Sequence, residues 1–463
     1  MSTSTTDLVR EYLDSHKENF ERVSRYIFEH PEIRFQEHES AGFLAAECEK
    51  EGFTVEKGVA DIETAFVGTY GSGSPVIAFL GEFDALSGLG QNPNQTKPDP
   101  DGKPAGHGCG HNLLGTGAFA AACAAKEYLE KNNLPGTVKF FGCPAEEGGS
   151  GKTYMVREGA FDGVDIAFCW HPSPGNTIMS VSSLANYQVY FKFEGISSHA
   201  AASPHLGRSA LDAVELLNTG VNYLREHVIP EARMHYAVTN TGGLSPNVVQ
   251  AEAEVLYLIR APKVNQVDDI FKRVVKIAEG AALMTETKMT MTFDKACSNY
   301  IGNRALEKIL YNSLKESKVE EPTAEEKAFA KDIWESLSPG EQENYLGIME
   351  GFGYGGDGSE FEGQYLSDVV SPYIENDTRV LAGSTDVSDV SWVVPTAQLS
   401  AATSALGTPL HTWQMTSQGI SSFAHKGMLR AAEAMAKAAV HLFNNEEDYA
   451  KVKEEFEAFR AKN

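Results

Sequence analysis

Val76-Ile77-Ala78-Phe79-Leu80-Gly81-Glu82-Phe83-Asp84 is an apolar run that stops abruptly on two acids. The pattern recurs twice. Thr137 to Phe141 leads through Gly142-Cys143-Pro144-Ala145 into Glu146-Glu147, and Asp165 to Cys169 leads into Trp170-His171-Pro172. Runs this short, bounded by Gly and Pro and separated by helical stretches, predict buried strands of an α/β sheet. Such sheets bind ligands just beyond the carboxyl ends of their strands. All three runs place reactive side chains there. Pro172 is expected to take the chain out of its strand directly after His171.

Between the first two runs lies Gly106-His107-Gly108-Cys109-Gly110-His111-Asn112, followed by a helix in which Ala118 to Ala125 are small enough to pack close to a sheet. Upstream, Thr6 to Glu51 reads as two helices broken at His30-Pro31. From about Ala185 the texture changes: strand character in Tyr187 to Phe193, helix in Ser209 to Glu226, strand in Val248 to Ile259, helix in Val267 to Leu283, strand in Lys288 to Phe293. That β-α-β-α-β order predicts a small ferredoxin-like α+β unit inserted into the larger domain. The expected division is 1–185 and 297–463 for the main domain, with 186–296 inserted. Within the second part, 320–377 is rich in acid, Gly and Tyr. It opens on a capping box, Thr323 to Glu326, and is expected to be a surface insertion. The helix Lys426 to Phe443 is expected to complete the main domain.

At 463 residues two domains are the natural expectation. The 39 Lys plus Arg against 64 Asp plus Glu leave a net charge of −25, which repels nucleic acid and anionic membranes. Several of the six cysteines sit in small apolar stretches such as Ala121-Ala122-Cys123-Ala124-Ala125, as reduced core thiols do. Met1 to Phe20 holds no apolar run, and no stretch is long and apolar enough to span a bilayer. A cytoplasmic protein is expected.

Cys109 and His111 are two apart, so on an extended segment both would point the same way. A thiolate and an imidazole together suit a borderline divalent ion such as zinc or manganese. Glu146 and Glu147 are adjacent and diverge at a strand end, so one can hold metal while the other faces a water as general base. His171 and His411, each beside a proline turn, extend the set to Cys, His, Glu, His and His, which matches the five or six ligands that two ions need. His199, in the inserted unit, could donate to a carbonyl or an oxyanion.

These segments, with His30-Pro31-Glu32, Ser198-His199-Ala200, Ser245 to Val249 and Ser384-Thr385-Asp386, resemble the M20 family of metallopeptidases and amidohydrolases, in the branch with a Cys-Gly-His metal motif. The resemblance implies a mixed-sheet catalytic domain with a lid and dimerisation domain inserted in it. It implies two divalent metal ions, manganese or zinc, held by Cys109, His111, Glu147, His171 and His411. Asp84 and His199 join the general base Glu146 in the implied catalytic set, and Asn247 and Arg260 in the substrate-binding set. The implied reaction is hydrolysis of the amide of an N-acyl amino acid, with aminobenzoyl-glutamate the leading candidate, or of a dipeptide; the alternative from another class is a non-catalytic metal-binding or regulatory subunit. The implied assembly is a homodimer through the inserted domain, or a pairing with a homologous subunit. The chain departs from many members in carrying Glu82 where they carry a metal-binding His, and His107 and His425 are further histidines near matching segments.

Overall fold

In the computed structural model, which describes residues 5–462, the three apolar runs are strands of one seven-stranded sheet. Its members are β1 (Thr54–Lys57), β2 (Phe66–Ser72), β3 (Val76–Glu82), β4 (Gly136–Cys143), β5 (Ile166–Ser173), β6 (Thr177–Ile178) and β7 (Thr396–Ala402). They lie in the order β1-β2-β4-β3-β5-β7-β6. β4, β3, β5 and β7 run parallel, and the outer strands are antiparallel, so the sheet is mixed. Because the four central strands share a direction, the ends carrying Glu82, Cys143 and His171 emerge on one side of the sheet.

The chain divides into two compact units. One is Met1–Val181, Ile301–Leu381 and Thr385–Asn463; the other is Ser182–Tyr300 with Ala382–Ser384. In the first, helix α1 (His111–Asn132) is buried on almost every face, Ala118 to Ala124 without exception. It packs against the sheet and against helix α2 (Ser422–Asn444). Close approach is enforced by glycine. A Cβ at Gly115 would lie 2.5 Å from the Glu82 carbonyl oxygen, and one at Gly117 would lie 2.7 Å from the Trp170 ring.

β5 continues through His171 and Pro172 to Ser173, where the sequence had predicted an exit. The Ala167 N–H donates to Pro395 on the β7 side, so the even-numbered positions of β5 face β3. Pairing with β3 ends at Phe168, so the N–H that Pro172 lacks has no ladder partner to lose. Three helices occupy the amino-terminal region where two were expected: Thr5–Ser15, Lys17–Glu29 and His38–Lys50. The chain also continues past α2 into a helix at Glu446–Arg460, of which only Val452 and Phe456 are buried. One apolar pair four residues apart in a charged segment is too thin a stripe to read as periodicity.

The region 320–377, expected to be a surface insertion, contributes buried side chains to the first unit. The capping box at Thr323 and Glu326 is formed, and helices run over Ala324–Glu335, Pro339–Glu343 and Tyr345–Gly351. Met349, Tyr354 and Phe361 bury themselves with Leu406, and Phe352 packs against the His171 ring with centroids 5.4 Å apart.

The second unit is a four-stranded antiparallel sheet with helices Ala210–Leu224 and Val264–Thr285. Its strands, Ala185–Glu194, Arg233–Asn240, Glu252–Ala261 and Lys288–Cys297, lie in the spatial order fourth, first, third, second, which is the ferredoxin-like arrangement. The second strand escaped the sequence reading because all but Met234 of its residues are exposed at the sheet edge, leaving no alternation to see.

Replacing Gly117 by Ala is expected to cost about 1–3 kcal/mol through overpacking against Trp170. Gly280→Ala, on a helix where a Cβ meets nothing within 4 Å, should stabilise by about 0.4–1 kcal/mol. Urea melts of the two variants check the contrast, and equal effects would contradict the packing described.

Candidate active site

The site begins with Asp84, just past the end of β3 and 1% exposed. Its Oδ1 accepts from His111 Nδ1 at 2.9 Å, and its Oδ2 accepts from the Glu147 backbone N–H at 2.9 Å. The first bond orients the His111 ring and brings its Nε2 to Glu82 (Oε2 at 3.3 Å) and Glu147 (Oε1 at 3.9 Å). Gly110, at φ 82°, turns the chain between Cys109 and His111. A Cβ there would sit 2.9 Å from Met415 Cε and 3.0 Å from Pro172. Cys109 and His111 therefore flank a left-handed turn at the start of α1 instead of lying on an extended segment. They converge all the same.

His171 donates from Nδ1 to the Pro172 carbonyl at 2.8 Å, leaving Nε2 facing Cys109 Sγ at 3.4 Å. His411, held at φ 60°, gives its N–H to the Gly108 carbonyl at 2.8 Å, and its Nε2 lies 3.3 Å from Glu147 Oε2. Three donor groups result, each with ligand atoms within 4.8 Å of one another: Cys109, His111 and His171; Cys109, Glu147 and His411; Glu82, His111 and Glu146. Glu146 and Glu147 thus diverge into different groups. His107 and His425 belong to none of them; His107 Nε2 faces the Ile27 carbonyl at 3.1 Å, and His425 is buried on α2.

Burial pushes the Cys109 thiol up, and Glu147 adds to it. Burial also pushes up the half-buried Glu146, reinforced by Glu82 and Glu147. For Glu147 burial acts in the same direction, but the His411 bond and the His111 charge outweigh it and hold the carboxyl at about 2. The glutamates are therefore set apart: Glu147 an anion, Glu146 a carboxyl that holds its proton more readily.

Lys152 is a site residue that the sequence did not disclose. It is fully buried in the first turn of the helix Gly151–Arg157, with Nζ 2.7 Å from Glu82 Oε1 and 2.6 Å from Asp386 Oδ1. Asp386 also accepts from the Lys152 backbone N–H at 2.8 Å. A lysine five residues beyond a glutamate pair reads as a solvated helix charge. The only hint lay in Ser384-Thr385-Asp386, a matching segment without an assigned role.

His199, Asn247 and Arg260 lie in the second unit. His199 Nδ1 accepts from the N–H groups of Ala201 and Ala202 at 3.2 and 3.0 Å, leaving Nε2–H as its outward donor. The Asn247 carbonyl accepts from the Ala200 N–H at 3.0 Å, so these two segments are neighbours. Arg260 pairs in register with Asn186 and Arg233 on either side, and its Nε is buried without a hydrogen-bond partner.

Thiol, imidazole and carboxylate groups from the strand ends, the start of α1 and the His411 loop thus form a cluster able to hold metal at the ligand-binding end of the parallel strands. The chain belongs to peptidase family M20/M25/M40, whose model matches residues 78–378, and is thereby a hydrolase. It is 52% identical over 440 residues to a subunit of the p-aminobenzoyl-glutamate hydrolase of Escherichia coli, covering 93% of this chain and 90% of that one. It is 28% identical to the human Xaa-Arg dipeptidase, covering 96% and 90%. A dinuclear metal-binding peptidase of family M20 from Bacillus subtilis has the same fold, with a TM-score of 0.55 at 16% identity, over 93% of this chain and 99% of that one.

Lys152→Met is expected to destabilise the chain by about 3–5 kcal/mol, because it leaves Glu82 and Asp386 buried without their cation. Adding Asp386→Asn should recover part of the loss. A loss below about 1 kcal/mol in urea unfolding would contradict the ion triad.

Proposed function

We propose that this chain is a two-metal amidohydrolase acting on N-acyl amino acids, with p-aminobenzoyl-glutamate, cleaved to p-aminobenzoate and glutamate, as its leading substrate. The observation that carries the reading is the donor cluster. His111 Nε2 and Glu147 Oε1 are buried there without a hydrogen-bond partner, and Cys109, His171 and His411 stand around them. Buried polar atoms without partners cost free energy, which a bound cation meeting the ring nitrogen and the carboxylate would relieve. A soft thiolate, three imidazoles and a carboxylate suit zinc or manganese. Cys109, His111, Glu147, His171 and His411 would hold the ions, which when bound supply Lewis acidity toward water and the amide carbonyl.

The protein's own groups do the rest. Glu146 takes a proton from the attacking water and returns it to the departing amine nitrogen. Asp84 holds the His111 ring and the Glu147 backbone in place. His199 offers its Nε2–H to the developing oxyanion, and Asn247 and Arg260 take the substrate's free carboxylate, for which a planar guanidinium is well shaped. The substrate preference rests on the 52% identity to the E. coli enzyme; the dipeptidase relative makes dipeptides the second class to assay.

The assembly read here is a homodimer through the second unit, favoured by the open edge strand Arg233–Asn240 with Tyr236 and Val238 exposed. A pairing with a different, homologous chain is the alternative that the E. coli relative's name suggests. The free thiols fit a cytoplasmic location, and no helix among the described residues is long and apolar enough to cross a membrane.

Release of p-aminobenzoate should vanish on chelation and return with manganese or zinc; survival of activity in chelator would refute the metal reading and favour Cys109 as a nucleophile. Glu146→Gln should keep the metal content while lowering kcat about 10²–10⁴-fold. Turnover near that of the unaltered chain would remove Glu146 from its role.

A further inference from the structure

Glu37 is a carboxyl group with no measurable exposure, far in sequence from Asp84 and from Glu146 and Glu147. Its Oε1 accepts from the Ala145 N–H at 2.9 Å and from the Phe35 N–H at 3.0 Å, and its Oε2 accepts from Thr64 Oγ1 at 3.2 Å. Ala145 precedes Glu146 and stands at φ 59°, a left-handed conformation that a residue with a Cβ adopts only when its surroundings impose it. On the far side of Glu146, Asp84 Oδ2 accepts from the Glu147 N–H. Two buried carboxyl groups therefore grip the backbone immediately before and immediately after Glu146.

The segment around Glu37 cradles the same turn. A Cβ at Gly149 would lie 2.4 Å from the Phe35 ring, and one at Gly148 would lie 2.9 Å from Arg34 Cδ. The Glu32 carbonyl accepts from the Ala85 N–H at 2.7 Å, next to Asp84. Residues 32–37 thus touch both grips at once.

We propose that Glu37 is a positioning residue: by holding the Ala145 N–H it sets the left-handed turn that aims Glu146 at the substrate and Glu147 at the donor cluster. This rests on the role proposed for Glu146. A displacement of about 1 Å in a reacting group costs on the order of 100-fold in rate, and Glu37 holds the N–H of the left-handed alanine that precedes Glu146.

The test uses the full chain with manganese and three variants. Glu37→Ala removes the acceptor, Glu37→Asp withdraws it by one methylene while keeping the carboxyl group, and Glu37→Gln keeps one oxygen for both N–H groups. Glu37→Ala and Glu37→Asp are expected to lower kcat by about 100-fold with KM within about threefold; Glu37→Gln should stay within about tenfold of the unaltered chain. Deuterium exchange over residues 143–149 is expected to be slow in the unaltered chain and Glu37→Gln, and fast in the other two. Should Glu37→Ala fail to fold, Glu37→Asp carries the comparison. Unchanged exchange over that turn, or unchanged kcat in a variant whose turn exchanges fast, overturns the proposal. If the unaltered chain cleaves no N-acyl amino acid, the assigned function fails, and exchange alone still decides whether Glu37 holds the turn.

Discussion

The carboxylate of Asp84 gives one oxygen to the His111 ring and the other to the Glu147 backbone, and so ties the start of α1 to the loop after β4. The two elements already pack through Phe119 and Phe140, whose ring centroids lie 5.5 Å apart, and the Asp84 bonds fix their polar ends. Asp84 itself needs no adjustment, because it follows β3, which is hydrogen-bonded to β4 along its length. The rigid sheet thereby passes its geometry to the reactive groups through two short bonds. Fixing the far nitrogen of a histidine in this way sets its tautomer and leaves the near nitrogen as an electron-pair donor.

So many carboxylates in one buried cluster would repel each other apart without compensation. Lys152 answers for Glu82 and Asp386, and His411 and His111 answer for Glu147. Glu146 shares a donor group with His111, which pulls its proton affinity down, but burial together with the neighbouring Glu82 and Glu147 outweighs that and drives it up. The charge balance thus separates two adjacent glutamates into an anion and a proton carrier. Adjacency in sequence produces opposite roles because the turn points them to different partners.

Much of this was legible from residues alone. The three apolar runs became β3, β4 and β5, and their terminal Glu82, Glu146, Glu147 and His171 do gather. What escaped shares a physical reason. The strand Arg233–Asn240 and the helix Glu446–Arg460 bury too few side chains for periodicity to register. Lys152 is invisible because a lysine is buried only when tertiary structure supplies its carboxylates, here from residues 70 and 234 positions away. The turn at Gly110 could not be told from an extended segment, since a glycine permits both. Region 320–377 read as a surface insertion because acid and glycine interrupt its apolar residues, yet Met349, Tyr354 and Phe361 close over Leu406 and Phe352 packs against His171.

The most direct measurement is anomalous diffraction from crystals grown with zinc or manganese, recorded at the absorption edge of the ion. Strong peaks within bonding distance of Cys109 Sγ, His111 Nε2, His171 Nε2, Glu147 and His411 are the expected result. A map empty at those atoms, with ions bound elsewhere or nowhere, would contradict the assignment of this cluster as the catalytic centre.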